Sequence, residues 1–335
     1  MDNKWKLKEK PSHFRVFEVP SFDLNKNKNH SFLIFKLIKK DYSQTDVIER
    51  LSNFFGVNRN DIGFSGIKDR RAITEQYISI DKNKVNRKII LDEKIVISKY
   101  ITIKLVGSLK ERLYPGRLKG NRFKILIKNV DKDTISKLKE KNNSVIKMPN
   151  YFGNQRFKWN NFEIGLFIFK REYKKALDLI KETGFNKNIR IINKYYNGKN
   201  EIEVLKKFPK RFFKLYLHSV QSKIFNEILA SKIKGEKCKK KVYCGNFDIE
   251  EEIPLIGHDT EDDLSLEIMS DYDLIPFDFI NKQISYATLH EKKRISIINT
   301  KLKVSICEDN NSFWLEFFLP KGSYATELIE TLKSF

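Results

Sequence analysis

The chain changes its hydrophobic period twice, and that limits its architecture more than any single motif. Up to about residue 150, apolar residues recur at every second position in short runs: Phe14 to Val19, His30 to Lys40, "KIVISKYITIKLVGSL" from Lys94, and Asn121 to Val130. That period puts one set of side chains on one face of a strand. The middle of the chain is helical in pattern. "FEIGLFIFKREYKKALDLIKETG" reads as one helix; "KRFFKLYLHSVQSKIFNEILASKIKG" reads as another, with Phe213, Leu217, Val220, Ile224 and Ile228 along one face and Gly235 as its stop. The last forty residues return to strands with "LKVSICE" and "FWLEFFLP". A β-rich start, a helical middle and a β-rich end imply an insertion. The ends, 1–157 and 296–335, form one discontinuous domain, and 158–295 is a second domain set into it. Short helices punctuate the first part: "SQTDVIERLSNFFG", capped by Ser43 with Asp46 and stopped by Gly56, and "KDTISKLKEK". The fold class is α+β.

A chain of 335 residues is long enough for two domains, and no run of about 18 apolar residues is present to span a membrane. Its three cysteines make no disulfide framework, which fits a reducing, cytoplasmic setting. Charge is more informative. Lys and Arg number 65 against 43 Asp and Glu, a net charge of +22. A surplus of this size suits a polyanionic partner, nucleic acid above all; a merely basic surface is the competing reading. From Asp248 to Asp273 there are eleven acids and no Lys or Arg, so the rest of the chain is more basic still. That segment is expected to face away from a polyanion or to cap helix starts.

Several chemistries lack their residues. There is no P-loop, no dinucleotide-binding glycine pattern, no HExxH and no GxSxG. Five scattered histidines and a single Cys238–Cys244 spacing give no metal motif, so no metal is expected. What stands out is "GFSGIKDRRAITEQYISI" from Gly63, where Asp69 sits among Lys68, Arg70 and Arg71 behind two glycines. Cations on both sides favour its ionised form, and an ionised carboxylate serves as nucleophile or base. A solvated turn is the bland alternative. Two other segments bear on it. "YPGRLKGNRF" interleaves Gly116 and Gly120 with Arg117, Lys119 and Arg122, which suits phosphates. "PNYFGNQRF" sets Tyr151, Phe152 and Phe157 beside amides and Arg156, which suits an unstacked base. The plain reading of each is a turn with core aromatics.

Together with "LPKGSYAT", these segments occur in an order and at intervals that resemble the TruD-type pseudouridine synthases. "KEKPSHFRVFE", "LHSVQSKIFNEILA" and "PLIGHDT" add weaker likeness, the last to archaeal members, so the resemblance covers nearly the whole chain. It implies a pseudouridine synthase-type catalytic domain with a mixed, mainly antiparallel sheet, and an inserted α/β (TRUD) domain that forms an RNA-binding cleft with it. It implies a monomeric enzyme that isomerises a tRNA uridine, U13 in the D-arm, to pseudouridine without cofactor or metal. Asp69 falls on the family's catalytic Asp. Lys8, Phe14, Glu18, Lys68, Gln76, Asn121, Phe123, Asn150, Phe152, Gln155 and Arg156 fall on its other signature positions and are the expected substrate-binding residues. Phe123 is the candidate to stack on an extruded base, Asn121 to orient it or to hold Asp69, and Lys8 to pair with Asp69 or to bind a phosphate. The sequence departs from the family with Lys158 in place of a glycine, "VFE" near the N-terminus, and Glu327 to Glu330 in place of Arg-Glu. A non-catalytic RNA-binding protein is the alternative from another class. A two-metal nuclease lacks the clustered carboxylates it would need.

Overall fold

The structure, a computed structural model, describes the chain apart from residues 1–4, 25, 27–28, 86–89, 91–92, 185, 197–199, 246, 250 and 310. It divides into two compact units. One is Met1–Ile146 with Asn299–Ser323, and the other is Lys147–Ile298 with Tyr324–Phe335.

The first unit is built on the alternating runs. In chain order it holds β1 (Lys6–Leu7), β2 (Phe14–Pro20), β3 (Phe32–Lys40), α1 (Gln44–Phe55), β4 (Ile62–Phe64), β5 (Ile73–Asp81), β6 (Lys94–Ser98), β7 (Ile101–Leu109), β8 (Leu118–Lys128) and α2 (Lys132–Glu140). The chain leaves this unit within β9 (Val145–Pro149). The other unit contributes α3 (Asn161–Phe169), α4 (Tyr173–Glu182), α5 (Asn186–Tyr195), α6 (Glu201–Lys206), α7 (Lys210–Lys234), β10 (Glu252–Leu255), α8 (Asp263–Ser270) and β11 (Lys292–Ile295). The chain returns within β12 (Ile297–Lys301), adds β13 (Lys303–Ile306) and β14 (Ser312–Pro320) to the first unit, and ends in α9 (Ala325–Lys333) in the second.

The sheet of the first unit runs β13-β14-β8-β2-β5-β3-β7-β6, with β1 beside β8 and β4 beside β5. Among the described residues of this sheet only β2 and β5 pair in parallel; the other pairings are antiparallel. This is the mixed, mainly antiparallel sheet expected. Two strands near the C-terminus thus complete a sheet begun more than 150 residues earlier. Helix α1 covers one end of one face. Ser43 accepts from the Asp46 amide at 3.2 Å and Gly56 closes the helix at φ 67°. The cap is worth about 1 kcal/mol. Burial of Val47, Ile48, Leu51 and Phe55 against β3, β5 and β7 is worth roughly 1.5–3 kcal/mol each, so packing rather than capping holds α1.

The second unit is helical around α7. Sixteen of its 25 residues are buried, including Gln221, Asn226 and Glu227, so it is enclosed on several sides rather than along the single stripe its sequence suggests. The run from Phe162 to Gly184 is two helices, not one. Arg171 adopts φ 62° between α3 and α4, and its guanidinium donates to the carbonyls of Phe169, Asp278 (2.9 Å) and Ile280 (2.7 Å). The acidic stretch caps and pairs locally: Asp262 accepts from the Ser265 amide at 2.8 Å, Asp271 meets Lys237 and Lys239 at 3.0 and 3.1 Å, and Glu251 meets Lys232 at 2.8 Å.

Three segments lie with the second unit although the sequence grouped them with the chain ends: 147–157, 296–298 and 324–335. Their side chains show why. The Asn226 amide exchanges hydrogen bonds of 2.8 and 3.0 Å with the Phe152 backbone, and Tyr151 pairs with Val242. In α9, buried Glu327 accepts from Lys241 at 2.8 Å and Tyr243 at 2.7 Å. Among the described residues, no helix is long and apolar enough to cross a membrane.

Candidate active site

The segment between β4 and β5 carries Lys68, Asp69, Arg70 and Arg71, and its ends are set by close backbone packing. A methyl group on Gly63 would overlap the Leu113 carbonyl and the Ser79 hydroxyl, so only glycine lets β4 lie there. The Gly116 amide donates to the Ser65 carbonyl at 2.7 Å, and the Asp41 amide to that of Ala72 at 3.0 Å.

Three lysines fix the loop from different sides. Lys39 is fully buried and donates to the carbonyls of Asp69 (2.7 Å) and Tyr42 (2.8 Å). Burial pushes its ammonium down to about 8, against the pull of the Asp69 carboxylate. Lys68 turns inward, with Nζ 2.6 Å from Glu18 Oε2, both side chains nearly closed to solvent. Asp69 turns the other way, 38% exposed, with Oδ1 3.4 Å from Lys8 Nζ. That same ammonium lies 3.6 Å from the centre of the Phe14 ring. The carboxylate therefore faces a cation from the N-terminal segment rather than its sequence neighbours. Arg71 donates to the Glu9 carbonyl at 3.1 Å, and Arg70 is exposed.

The sheet supplies the surroundings. Register places Leu37 beside Gln76, and Glu18 beside Asn121, which in turn faces Leu319. Since Phe17 pairs with Glu75 in parallel, Gln76 and Glu18 adjoin, and the Tyr77 amide donates to Glu18 at 3.4 Å. A polar row of Gln76, Glu18 and Asn121 thus crosses three strands on one face. Gln76 Oε1 and Nε2 and Asn121 Oδ1 are buried and have no hydrogen-bond partner among the described residues. Such atoms cost about 1–3 kcal/mol each when left unpaired. In the next row, Phe123 stacks on Phe317 (5.2 Å, 18°) and meets Phe14 edge-on at 6.1 Å.

The structure brings Lys8, Phe14, Glu18, Lys68, Asp69, Gln76, Asn121 and Phe123 into the first unit. Asn150, Phe152, Gln155 and Arg156 belong to the second. There, Asn150 and Phe152 are buried. Asn150 donates to the Ile295 carbonyl at 2.9 Å and accepts from Arg294 at 2.6 Å, while the Phe152 ring lies 4.2 Å from the Arg294 guanidinium and 5.4 Å from the Phe225 ring. Tyr151 is fully enclosed as well, and both rings lie in the core of the second unit. Gln155 is exposed and Arg156 half-buried.

Sequence reasoning missed Lys39, Phe317 and Arg294. Lys39 had a signal: it occupies the inward register of β3 after Leu33, Phe35 and Leu37, where a lysine needs a buried partner. Also unforeseen, two of the scattered histidines meet in the second unit. Ligand atoms of His258, Asp259 and His290 lie within 4.8 Å of one another, and Asp259 accepts from the Glu291 amide at 2.6 Å.

The family model for tRNA pseudouridine synthase D (TruD) matches residues 3–190, more than half of the chain. The chain belongs to the TruD family. The matched span includes Asp69 and each of the other expected site residues. Relatives agree along nearly the full length. A tRNA pseudouridine synthase D from Aquifex aeolicus is 26% identical, covering 98% of this chain and 97% of its own. One from Nitratiruptor is 29% identical, covering 97% and 94%. A crystal structure of a TruD chain from Methanosarcina mazei superposes with a TM-score of 0.67 at 20% identity, covering 98% of this chain and 93% of that one; it shares the fold.

Proposed function

We propose that this chain isomerises a uridine of tRNA, U13 of the D-arm, to pseudouridine, with Asp69 as the reacting carboxylate. The observation that carries this reading is the Asp69 loop. An accessible carboxylate sits beside one ammonium, on backbone pinned by a buried lysine. Family membership supports the reaction class and the RNA substrate.

The reaction breaks the bond from N1 to C1′ and forms one from C5 to C1′; the C5 hydrogen leaves as a proton and N1 gains one, so no redox partner is consumed. Three roles for the carboxylate satisfy that balance: addition to C1′, addition to C6, or removal of a proton. Each needs an ionised acid held in place. Extruding the base from folded RNA costs a few kcal/mol, offset by stacking and phosphate contacts. Phe123 is assigned the stacking role, and Asn121 the orientation of the uracil edge through its unpaired Oδ1. Lys39, Lys68 and Glu18 act through the loop as positioning residues. Gln76, fully buried, adjoins Glu18 in register and is assigned to the substrate-binding row with it. Gln155 and Arg156 are assigned to RNA contacts of the second unit. No step needs a metal or cofactor.

Carbodiimide modification followed by primer extension on tRNA transcripts tests the reading. A stop at position 13 with the wild type and none with Asp69→Ala is expected. A stop at another uridine would replace the target, and no stop on any transcript would overturn the reading.

A further inference from the structure

The sheet of the first unit has a second, more open face. On the side opposite Glu18, Asn121 and Leu319, register sets Phe17, Arg122 and Phe318 side by side across β2, β8 and β14. They line a hollow of about 830 Å³ together with Lys124, Lys301 and Lys303. Phe318 is 37% exposed although its ring is apolar. The three acids at the hollow are already matched: Glu316 by Lys124 at 2.8 Å, Glu75 by Lys36 at 2.7 Å and Glu18 by Lys68 at 2.6 Å. Arg122, Lys301 and Lys303 are exposed and have no ion-pair partner among the described residues. The surplus charge here is positive, and it surrounds two aromatic rings.

We propose that this hollow is a second RNA subsite that takes an unpaired stretch of the substrate, a base against Phe17 and Phe318 and phosphates against Arg122, Lys301 and Lys303. It rests on the RNA reading above; Glu18, Phe123 and Phe317 also border the hollow, but the residues assigned to hold the RNA are those of the opposite face. Open sheet faces that present aromatics among cations hold single-stranded bases by stacking, with little demand on sequence. The volume falls within the range of roughly 300–1,000 Å³ typical of small-ligand sites, enough for a nucleotide or two but not for a duplex. The site would hold substrate RNA without touching the reacting base.

Its test uses the full chain, tRNA transcripts tritiated at C5, and a labelled oligouridylate. The triple variant Arg122→Gln, Lys301→Gln, Lys303→Gln should raise KM several-fold, leave kcat within about twofold, and lower the slope of log affinity against log salt by about 2, close to 0.7 per phosphate contact for single strands. Phe318→Ala should weaken oligouridylate binding roughly fivefold or more, with Phe318→Tyr restoring it. Wild-type KM and salt slope in the triple variant would overturn the subsite while leaving the enzyme reading intact. Displacement of oligouridylate by polyglutamate of equal charge would overturn it too, since stacking would then contribute nothing. A wild type that neither binds nor converts tRNA would overturn both.

Discussion

Lys68 and Asp69 are adjacent in sequence, yet their side chains meet different surroundings, and their substitutions should behave differently. Lys68 and Glu18 form a closed pair. Removing either partner strands a buried charge, so Glu18→Ala should cost about 3–5 kcal/mol in urea unfolding. Asp69 is 38% exposed with one ion pair at 3.4 Å, and Asp69→Asn should change stability by less than about 1 kcal/mol. Equal losses in the two would contradict this division. Lys39 adds a pH dependence. Its folded-state value of about 8 lies below its ordinary 10.5, so between those values the unfolded chain holds more protons, and this group's contribution to stability rises with pH across that window. Lys39→Met should remove that rise in thermal melts from pH 8 to 10. The K-D-R spacing located the acid. Lys8 was a candidate partner for it or for a phosphate, and the fold brings Lys8 Nζ to 3.4 Å from the carboxylate because of how β1 and β2 lead into the sheet.

Strand elements were legible because each alternates against one buried face: β2, β3, β8 and β14 lie where the period of two put them. Their register was not, since pairing is set by partners distant in sequence. Gly120 shows how tight it is. A methyl group there would overlap the Leu319 carbonyl on the neighbouring strand. Gly120→Ala should therefore destabilise the first unit by about 2 kcal/mol or more, measured by unfolding, whereas Gly56→Ala, which has open space but φ 67°, should cost only about 1 kcal/mol. The break between α3 and α4 escaped the sequence because Arg171 caps it through carbonyls more than 100 residues away.

At the scale of the molecule, the change of period follows the chain from the first compact unit into the second and back, but the edges of the units lie elsewhere than the period put them. Residues 147–157 and 324–335 read as ends of the catalytic part, while their buried partners Asn226, Lys241 and Tyr243 lie in the helical unit. Glu327→Ala should accordingly speed amide exchange across 147–298 and leave β13 and β14 unchanged; faster exchange in those strands would contradict the assignment of α9. The basic balance of +22 pointed to a polyanion, and family membership supplies tRNA as its form. Asp69 is proposed to carry out the isomerisation, with Phe123 and Asn121 holding the base and Lys39, Lys68 and Glu18 positioning the loop. Tritium release from tRNA labelled at uridine C5 measures it most directly. The wild type should release tritium and Asp69→Asn should release at least about a thousandfold less while still binding the tRNA; equal release by the two proteins would contradict the account.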